Sequence, residues 1–274
     1  MKSKYKRFLD EDIGRGDVTS ELVVPAAAKA KGSIVCKEAC VLAGVNEARE
    51  IFKELGAKAI VKRKDGSRVR KGTVVIELRG TARSLLAGER LALNIIMRMS
   101  GIATLTDSLV RECRKVNPRV KVAATRKTTP GFREFEKRAV ALGGGWPHRM
   151  GLYDAILIKD NHIKVAGGVK KALERARRKG RGRKIEIEVE TPEQAYAALR
   201  SGADIIMLDN FKPGEAVKLA KELKKKRPGV LIELSGGIRP GNIAEYARAG
   251  DIISLGWLTH SVKSVDFSMK LEPE

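Results

Sequence analysis

Between residues 120 and 256 the chain repeats one unit: a short run rich in β-branched residues that ends in polar groups, followed in most cases by a segment with helical spacing. The runs fall at 120–125, 155–159, 184–190, 204–209, 230–235 and 251–256, and helical segments at 169–178, 192–200, 213–226 and 240–248. Three of the helical segments open on Pro192, Pro213 and Pro240, at the position where a missing N–H does least harm. Alternating strand and helix implies parallel strands joined by right-handed crossovers, hence an open doubly wound sheet or a barrel. Nearly every run closes on polar residues: Thr125, Arg126 and Lys127; Lys159 and Asp160; Glu188 to Glu190; Asp209 and Asn210; Ser235, Gly236 and Gly237; Gly256. That favours the barrel, whose chemistry gathers at the carboxyl-terminal rim of its strands.

The run IEIEVE sharpens the point. With a period of two, Glu186, Glu188 and Glu190 share one face, and Ile185, Ile187 and Val189 share the other. An antiparallel edge strand with a solvated acidic face would look the same. Because helices flank this segment, the apolar face is expected against them and the glutamates inside the barrel. Carboxylates there need cations or a metal beside them. Arg126, Lys127 and Lys159 are the expected cations, and Asp209 on the next strand is expected to join Glu188 in holding Mg²⁺ through a ligand, since hard cations prefer oxygen donors.

The first 116 residues read differently. A short helix within residues 1–20 leads into a loop, GRGDVTS; strand-like runs follow at 32–37, 41–45, 58–64 and 73–78, with one helix at 46–55. Such a mixture predicts a small α+β layer. From residue 81 to about 116 the pattern is one long helix, expected to break near Ser100 and Gly101. Arg90, Asn94 and Arg98 lie at i, i+4 and i+8 and form a single polar line, which suits either a solvent edge or a row facing a ligand.

Charge restricts the partner. The excess of 55 Lys and Arg over 33 Asp and Glu, a formal net charge of +22, ordinarily suggests nucleic acid or an anionic membrane. Only 4% of residues are aromatic, which leaves few platforms for bases, and much of the basic charge sits in helical runs such as 170–184 and 218–227, so a solvated surface is the better reading. Cys36, Cys40 and Cys113 make no CxxC pair and predict free thiols in a reducing compartment. The start, MKSKYKRFLDED, has no apolar signal core and no stretch reaches membrane-span length, so a soluble cytoplasmic protein is expected.

Within this frame the segment 125–162 concentrates Arg126, Lys127, His148, Arg149 and Lys159 at element ends, an arrangement that repels itself unless something acidic lies among it. A polyanionic small molecule is the expected ligand. Ser235, Gly236, Gly237 and Gly256 belong to the last two βα turns, where barrels often bind phosphate on backbone N–H groups. Lys159 admits a second role as a Schiff-base lysine, but its polar neighbours favour anion binding. His162 suits a structural hydrogen bond as well as catalysis.

The motifs TRKTTPGFR from Thr125, GGG followed by HRMGLYD, LIKDNH from Leu157 and SGGI from Ser235 together closely resemble the quinolinate phosphoribosyltransferases, and the likeness extends from EDIGRGDVTS through GERLALNIIMRMSGIAT to VDFSMKL. One departure is Pro147, where members of that family often carry Asn. The resemblance implies an N-terminal α/β sandwich (1–112), an incomplete, roughly seven-stranded α/β barrel (113–262) and a C-terminal segment (263–274) returning to the first domain. It implies that quinolinate and phosphoribosyl pyrophosphate give nicotinate mononucleotide, pyrophosphate and CO2 in de novo NAD synthesis, with Mg²⁺. It also implies a quinolinate site of Arg126, His148, Arg149 and Lys159, completed by Arg90 from a neighbouring subunit of a homodimer or larger homo-oligomer. Lys127, Lys159, Glu188 and Asp209 would serve the ribose, the pyrophosphate and the metal, and Ser235, Gly236, Gly237 and Gly256 the 5′-phosphate. Three alternatives stay open: a related phosphoribosyltransferase acting on nicotinate or another ring acid, a Schiff-base aldolase, and a nucleic-acid-binding module.

Overall fold

Two sheets of opposite character divide the chain. The computed structural model describes residues 4–180 and 182–274. Met1 to Ser3 of the amino-terminal segment, and Arg181 within the basic run 170–184, lie outside the described residues. The chain begins with α1 (Lys6–Ile13), α2 (Val18–Val23), β1 (Lys29–Cys36), β2 (Cys40–Val41), α3 (Val45–Glu54), β3 (Lys58–Val61), β4 (Arg68–Val69), β5 (Val74–Thr81) and α4 (Ala82–Val116). There follow β6 (Lys121–Ala123), α5 (Arg133–Leu142), β7 (Ile156–Ile158), α6 (Asp160–Ala166), α7 (Val169–Lys179), β8 (Ile185–Val189), α8 (Pro192–Arg200), β9 (Ile205–Asp209), α9 (Pro213–Lys226), β10 (Leu231–Ser235), α10 (Ile243–Ala247), β11 (Ile252–Ser254) and α11 (Trp257–His260), with β12 (Phe267–Pro273) at the end. Two compact units result, one of residues 1–105 with 262–274 and one of residues 106–261, so the division falls within α4.

The first unit is built on a four-stranded sheet in the order β12-β1-β5-β3, in which β1 pairs antiparallel with both β12 and β5. The C-terminal strand thus returns to this unit. Ile34, Leu42, Phe52, Ile76, Leu85, Ile96 and Phe267 are buried together in its core. Three local expectations change. Of the run 41–45 only Val41 lies in a strand, β2, and Val45 already begins α3. The loop GRGDVTS is partly helical: Asp17 accepts a hydrogen bond from the Ser20 N–H at 3.0 Å and so starts α2 at Val18. Finally, α4 runs unbroken through Ser100 and Gly101. Those two residues mark close packing, since Ser100 Oγ bonds both backbone groups of Ala43 and a Cβ on Gly101 would lie 2.3 Å from the Lys263 carbonyl oxygen. All three cysteines are free and buried.

The second unit holds a six-stranded parallel sheet, ordered β6-β11-β10-β9-β8-β7. Trp146 adds a single parallel bridge to Ala123 on the far side of β6, so one residue occupies the seventh position. The register aligns Leu157, Glu186, Ile205 and Leu231 on one rung and Glu188, Met207, Glu233, Ile252 and Lys121 on the next. Ala123, Ile205 and Ile252 pack together with Trp146 and Leu231, although β6 and β9 are separated by two strands in the sheet. Such contact requires the sheet to curl on itself, which makes it an incomplete barrel with an apolar floor. No helix of the described residues is long and apolar enough to cross a membrane.

Candidate active site

All six strands contribute to one cavity of about 330 Å³ at their carboxyl-terminal ends, within the size range of small-molecule sites. Its walls include Arg126, Lys127, His148, Arg149, Lys159, Glu188, Asp209 and Ser235, which the sequence had pointed to, together with Leu157, Met207, Glu233 and Ser254. A second cavity of about 320 Å³ shares Lys127 and Ser235 and adds Gly236, Gly237, Gly256, Arg239 and His260. Arg90 belongs to the other unit, where it is exposed on α4, as is Asn94; Arg98 donates to the Val262 carbonyl at 3.4 Å.

The glutamates of β8 behave as strand parity requires, with one exception. Glu186 and Glu188 are 4% and 8% exposed, and both face the barrel interior. Glu190 lies beyond the end of β8 and is exposed, its N–H held by Gln194 Oε1 at 2.9 Å. Lys159 Nζ is bonded to Glu188 Oε2, which realises one expected ion pair. Glu186, one inward-facing position deeper than Glu188, has a different partner from those expected. Its Oε2 lies 3.4 Å from His148 Nε2, and Glu233 Oε2 lies 3.3 Å from the same nitrogen. Glu233 is the residue the sequence reading missed. Its signal was parity, for it stands two residues before Ser235 and therefore on the same inward face.

These three groups are the one cluster among the described residues close enough to hold a metal ion. Hydrogen bonding argues against a metal there. The Arg149 N–H donates to His148 Nδ1 at 2.8 Å, so that nitrogen uses its lone pair and the ring proton sits on Nε2, directed at the two carboxylates. A metal on Nε2 would require the opposite tautomer. Burial opposes a charged His148, yet hydrogen bonds and charge from Glu186 and Glu233 outweigh it and push the pKa up to about 9; the Arg149 N–H at Nδ1 resists that second proton. We read the ring as an Nε2–H donor, because the short N–H contact leaves no room for hydrogen on Nδ1. Burial, with Glu233 beside it, raises Glu186 to about 6 against the pull of His148.

The cations are held as deliberately. Arg126 Nε and Nη1 are buried and make no hydrogen bond within the protein. A guanidinium with two planar donors unpaired, in a cavity of mixed charge, matches a carboxylate ligand. Burial, then the nearby Arg126 charge, lowers the pKa of Arg149, which is 8% exposed. The Lys159 N–H donates to His162 Nδ1 at 2.9 Å, so His162 caps the start of α6 and fixes the backbone of Lys159. His162 therefore makes a structural hydrogen bond through Nδ1.

The chain turns sharply just after β9. Asn210 has φ 61°, its N–H bonds the Ser235 carbonyl at 3.0 Å, and its Nδ2 donates to Asp209 Oδ2 at 2.6 Å. Gly236 meets this turn so closely that a Cβ would lie 2.3 Å from Asn210 Oδ1, and its φ of 83° belongs to the left-handed region. Both constraints leave glycine alone at this position and bring its backbone to the edge of the second cavity.

Family models describe the chain in two parts: residues 17–100 match the N-terminal domain and residues 102–270 the C-terminal domain of quinolinate phosphoribosyl transferase. Over 259 residues the chain is 47% identical to a probable nicotinate-nucleotide pyrophosphorylase [carboxylating] of Archaeoglobus fulgidus, covering 93% of this chain and 98% of the relative. The nicotinate-nucleotide pyrophosphorylase [carboxylating] of Homo sapiens is 39% identical over 251 residues, 91% of this chain and 84% of the human one. The crystal structure of NadC from Streptococcus pyogenes superposes with a TM-score of 0.91 at 40% identity, covering 98% and 95% of the two chains.

Proposed function

Because the chain belongs to the quinolinate phosphoribosyltransferase family, we propose that its cavity performs that family's reaction on a pyridine dicarboxylate and an activated ribose. The chain transfers the phosphoribosyl group of phosphoribosyl pyrophosphate to quinolinate with loss of CO2, giving nicotinate mononucleotide and pyrophosphate in NAD biosynthesis. The observation that carries this reading is the pair of buried, unpaired Arg126 donors beside Arg149, His148 and Lys159 in a cavity to which every barrel strand contributes. Two adjacent ring carboxylates need the charge that Arg126, Arg149 and Lys159 concentrate here; a monocarboxylate does not.

The chemistry follows from the lining. Arg126 and Arg149 hold the ring carboxylates so that the pyridine nitrogen faces the anomeric carbon, converting an encounter into an oriented attack. The C–O bond to pyrophosphate breaks as the C–N bond forms, and the positive charge that develops on the ribose is stabilised by the carboxylates of Glu188 and Asp209. Lys127 and Lys159 meet the leaving group. As CO2 departs, the electron pair of the broken C–C bond stays on the adjacent ring carbon, where the positive charge on the quaternised nitrogen stabilises it, and a proton from solvent takes up that pair. Ser235, Gly236, Gly237 and Gly256 bind the 5′-phosphate in the second cavity.

Mg²⁺, when bound with the pyrophosphate, would supply neutralisation of its charge. Glu188 and Asp209 offer the hard oxygen donors such an ion takes, yet each already accepts from a protein donor, Lys159 and Asn210 respectively. The donor set therefore fits an ion carried mainly by substrate phosphates and water, with these carboxylates assisting. The active unit is a homodimer or larger homo-oligomer of a cytoplasmic enzyme, with the exposed Arg90 of one copy completing the quinolinate site of another.

The test is direct. The purified chain with quinolinate, phosphoribosyl pyrophosphate and Mg²⁺ should release one CO2 per nicotinate mononucleotide formed, and chelation of the metal should stop the reaction. Equal turnover with nicotinate in place of quinolinate, without CO2, would overturn the reading.

A further inference from the structure

The described residues contain one lysine buried as deeply as a core leucine. Lys137, on α5, is 1% exposed, and its Nζ donates to the Pro147 carbonyl oxygen. A buried ammonium normally costs free energy unless a carboxylate pairs with it. Here the acceptor is a neutral carbonyl, and burial, followed by the charge of Arg133, lowers the lysine to about 8. A methionine would fill the same helical position at lower cost, so the packing of α5 gives no reason for an amine there. The reason lies at the far end of the hydrogen bond.

Pro147 precedes His148 and Arg149, both of which line the cavity. Trp146 is extended against Ala123, with its N–H on the Val122 carbonyl at 2.7 Å and its carbonyl accepting from Ala124 at 2.9 Å. Extended backbone is what a following proline demands, so Pro147 fits the loop that the Trp146 bridge begins. His148 then takes φ 54°, a left-handed conformation that is strained for a residue with a side chain and persists only where the surroundings over-determine it. The neighbours of Lys137 on α5 act on the same loops. Arg133 donates to Thr128 Oγ1 at 2.9 Å and to the Met150 carbonyl at 3.1 Å, and Glu136 accepts from the N–H and Oγ1 of Thr129 at 3.1 and 3.0 Å. One helix therefore ties the loop that carries Arg126 to the loop that carries His148 and Arg149.

We infer that Lys137 is a positioning residue for the dicarboxylate half of the substrate site: its buried Nζ grips the Pro147 carbonyl and so holds His148 and Arg149 where they meet the ring carboxylates. The inference deepens the proposed quinolinate site and rests on that reading. It separates a pyridine-binding function of α5 from the phosphoribosyl half of the site, which α5 does not touch through Lys137.

Lys137→Met and Lys137→Gln test it, in a Trp257→Phe background that leaves Trp146 as the single tryptophan. Trp146 lies with its ring centroid 4.7 Å from that of His148, so its emission reports the loop without any substrate. In Lys137→Met the KM for quinolinate should rise about tenfold or more with the KM for phosphoribosyl pyrophosphate unchanged, and Trp146 emission should shift toward that of a mobile, wetter loop. Lys137→Gln keeps an amide donor and should recover part of both effects. The inference falls if the quinolinate KM stays put, if both KM values rise together, if glutamine behaves as methionine does, or if Lys137→Met loses its fold, since the lysine would then hold the barrel itself. Failure of the parent chain to release CO2 from quinolinate would count against the proposed reaction, whereas the Trp146 comparison reads the grip on the loop independently.

Discussion

Replacing Arg126 by alanine separates binding from stability in opposite directions. Its Nε and Nη1 are buried without a partner in the protein, and a hydrogen bond to a charged group contributes about 1.5–3 kcal/mol. If each donor meets a carboxylate oxygen of the substrate, the substitution removes about 3–6 kcal/mol of binding free energy, or roughly two to four orders of magnitude in quinolinate affinity at about 1.4 kcal/mol per decade. The fold responds the other way. Alanine removes an unpaired buried charge and relieves Arg149, whose pKa is lowered first by burial and then by Arg126. Isothermal titration with quinolinate should show the loss of affinity, while differential scanning calorimetry should show a Tm equal to or above the parent's. Arg126→Lys keeps the charge without the planar fork and should regain only part of the affinity. Unchanged quinolinate affinity would refute the assignment, and so would a Tm that falls along with binding, because Arg126 would then be part of the framework.

Mixing Arg90→Ala and Arg126→Ala chains should restore activity to about a quarter of the parent's, since half of randomly formed dimers are mixed and each has one intact site; no recovery in verified heterodimers removes Arg90 from the shared site. Gly236→Ala places a Cβ 2.3 Å from Asn210 Oδ1 at φ 83°, and calorimetric affinity for phosphoribosyl pyrophosphate should drop by about tenfold or more, an unaltered value ruling out this backbone as part of the phosphate site. Lys137 provides a pH test. Its pKa is about 8 in the fold, with burial the main cause, against an ordinary 10.5. Between those values the unfolded chain binds the extra proton, so the parent gains stability as pH rises, by about 3 kcal/mol in all. The stability of the parent relative to Lys137→Met, from urea unfolding, should therefore climb from pH 8 to 10.5; a flat difference would contradict the buried-amine account.

The barrel and most of its rim were legible in the order of residues alone. Strand and helix alternate after residue 120, polar residues close the strands, and a period of two turns Glu186 and Glu188 inward; each signal is local, because backbone geometry fixes it within a few residues. The cations that line the cavity were legible for the same reason, lying at element ends in short motifs. Tertiary structure decided who pairs with whom. His148 meets Glu186 and Glu233 only because a curled sheet brings β8 and β10 to either side of one ring, and no spacing along the chain encodes that distance. Gly101 looked like a helix break until the Lys263 carbonyl was seen to lie against it. Lys137 lies in a run of mixed charge that carries no local sign of burial, and only the fold places it under Pro147. Local rules specify which way a side chain points, whereas the partner across a barrel depends on the closure of the whole sheet, which is a property of no single segment.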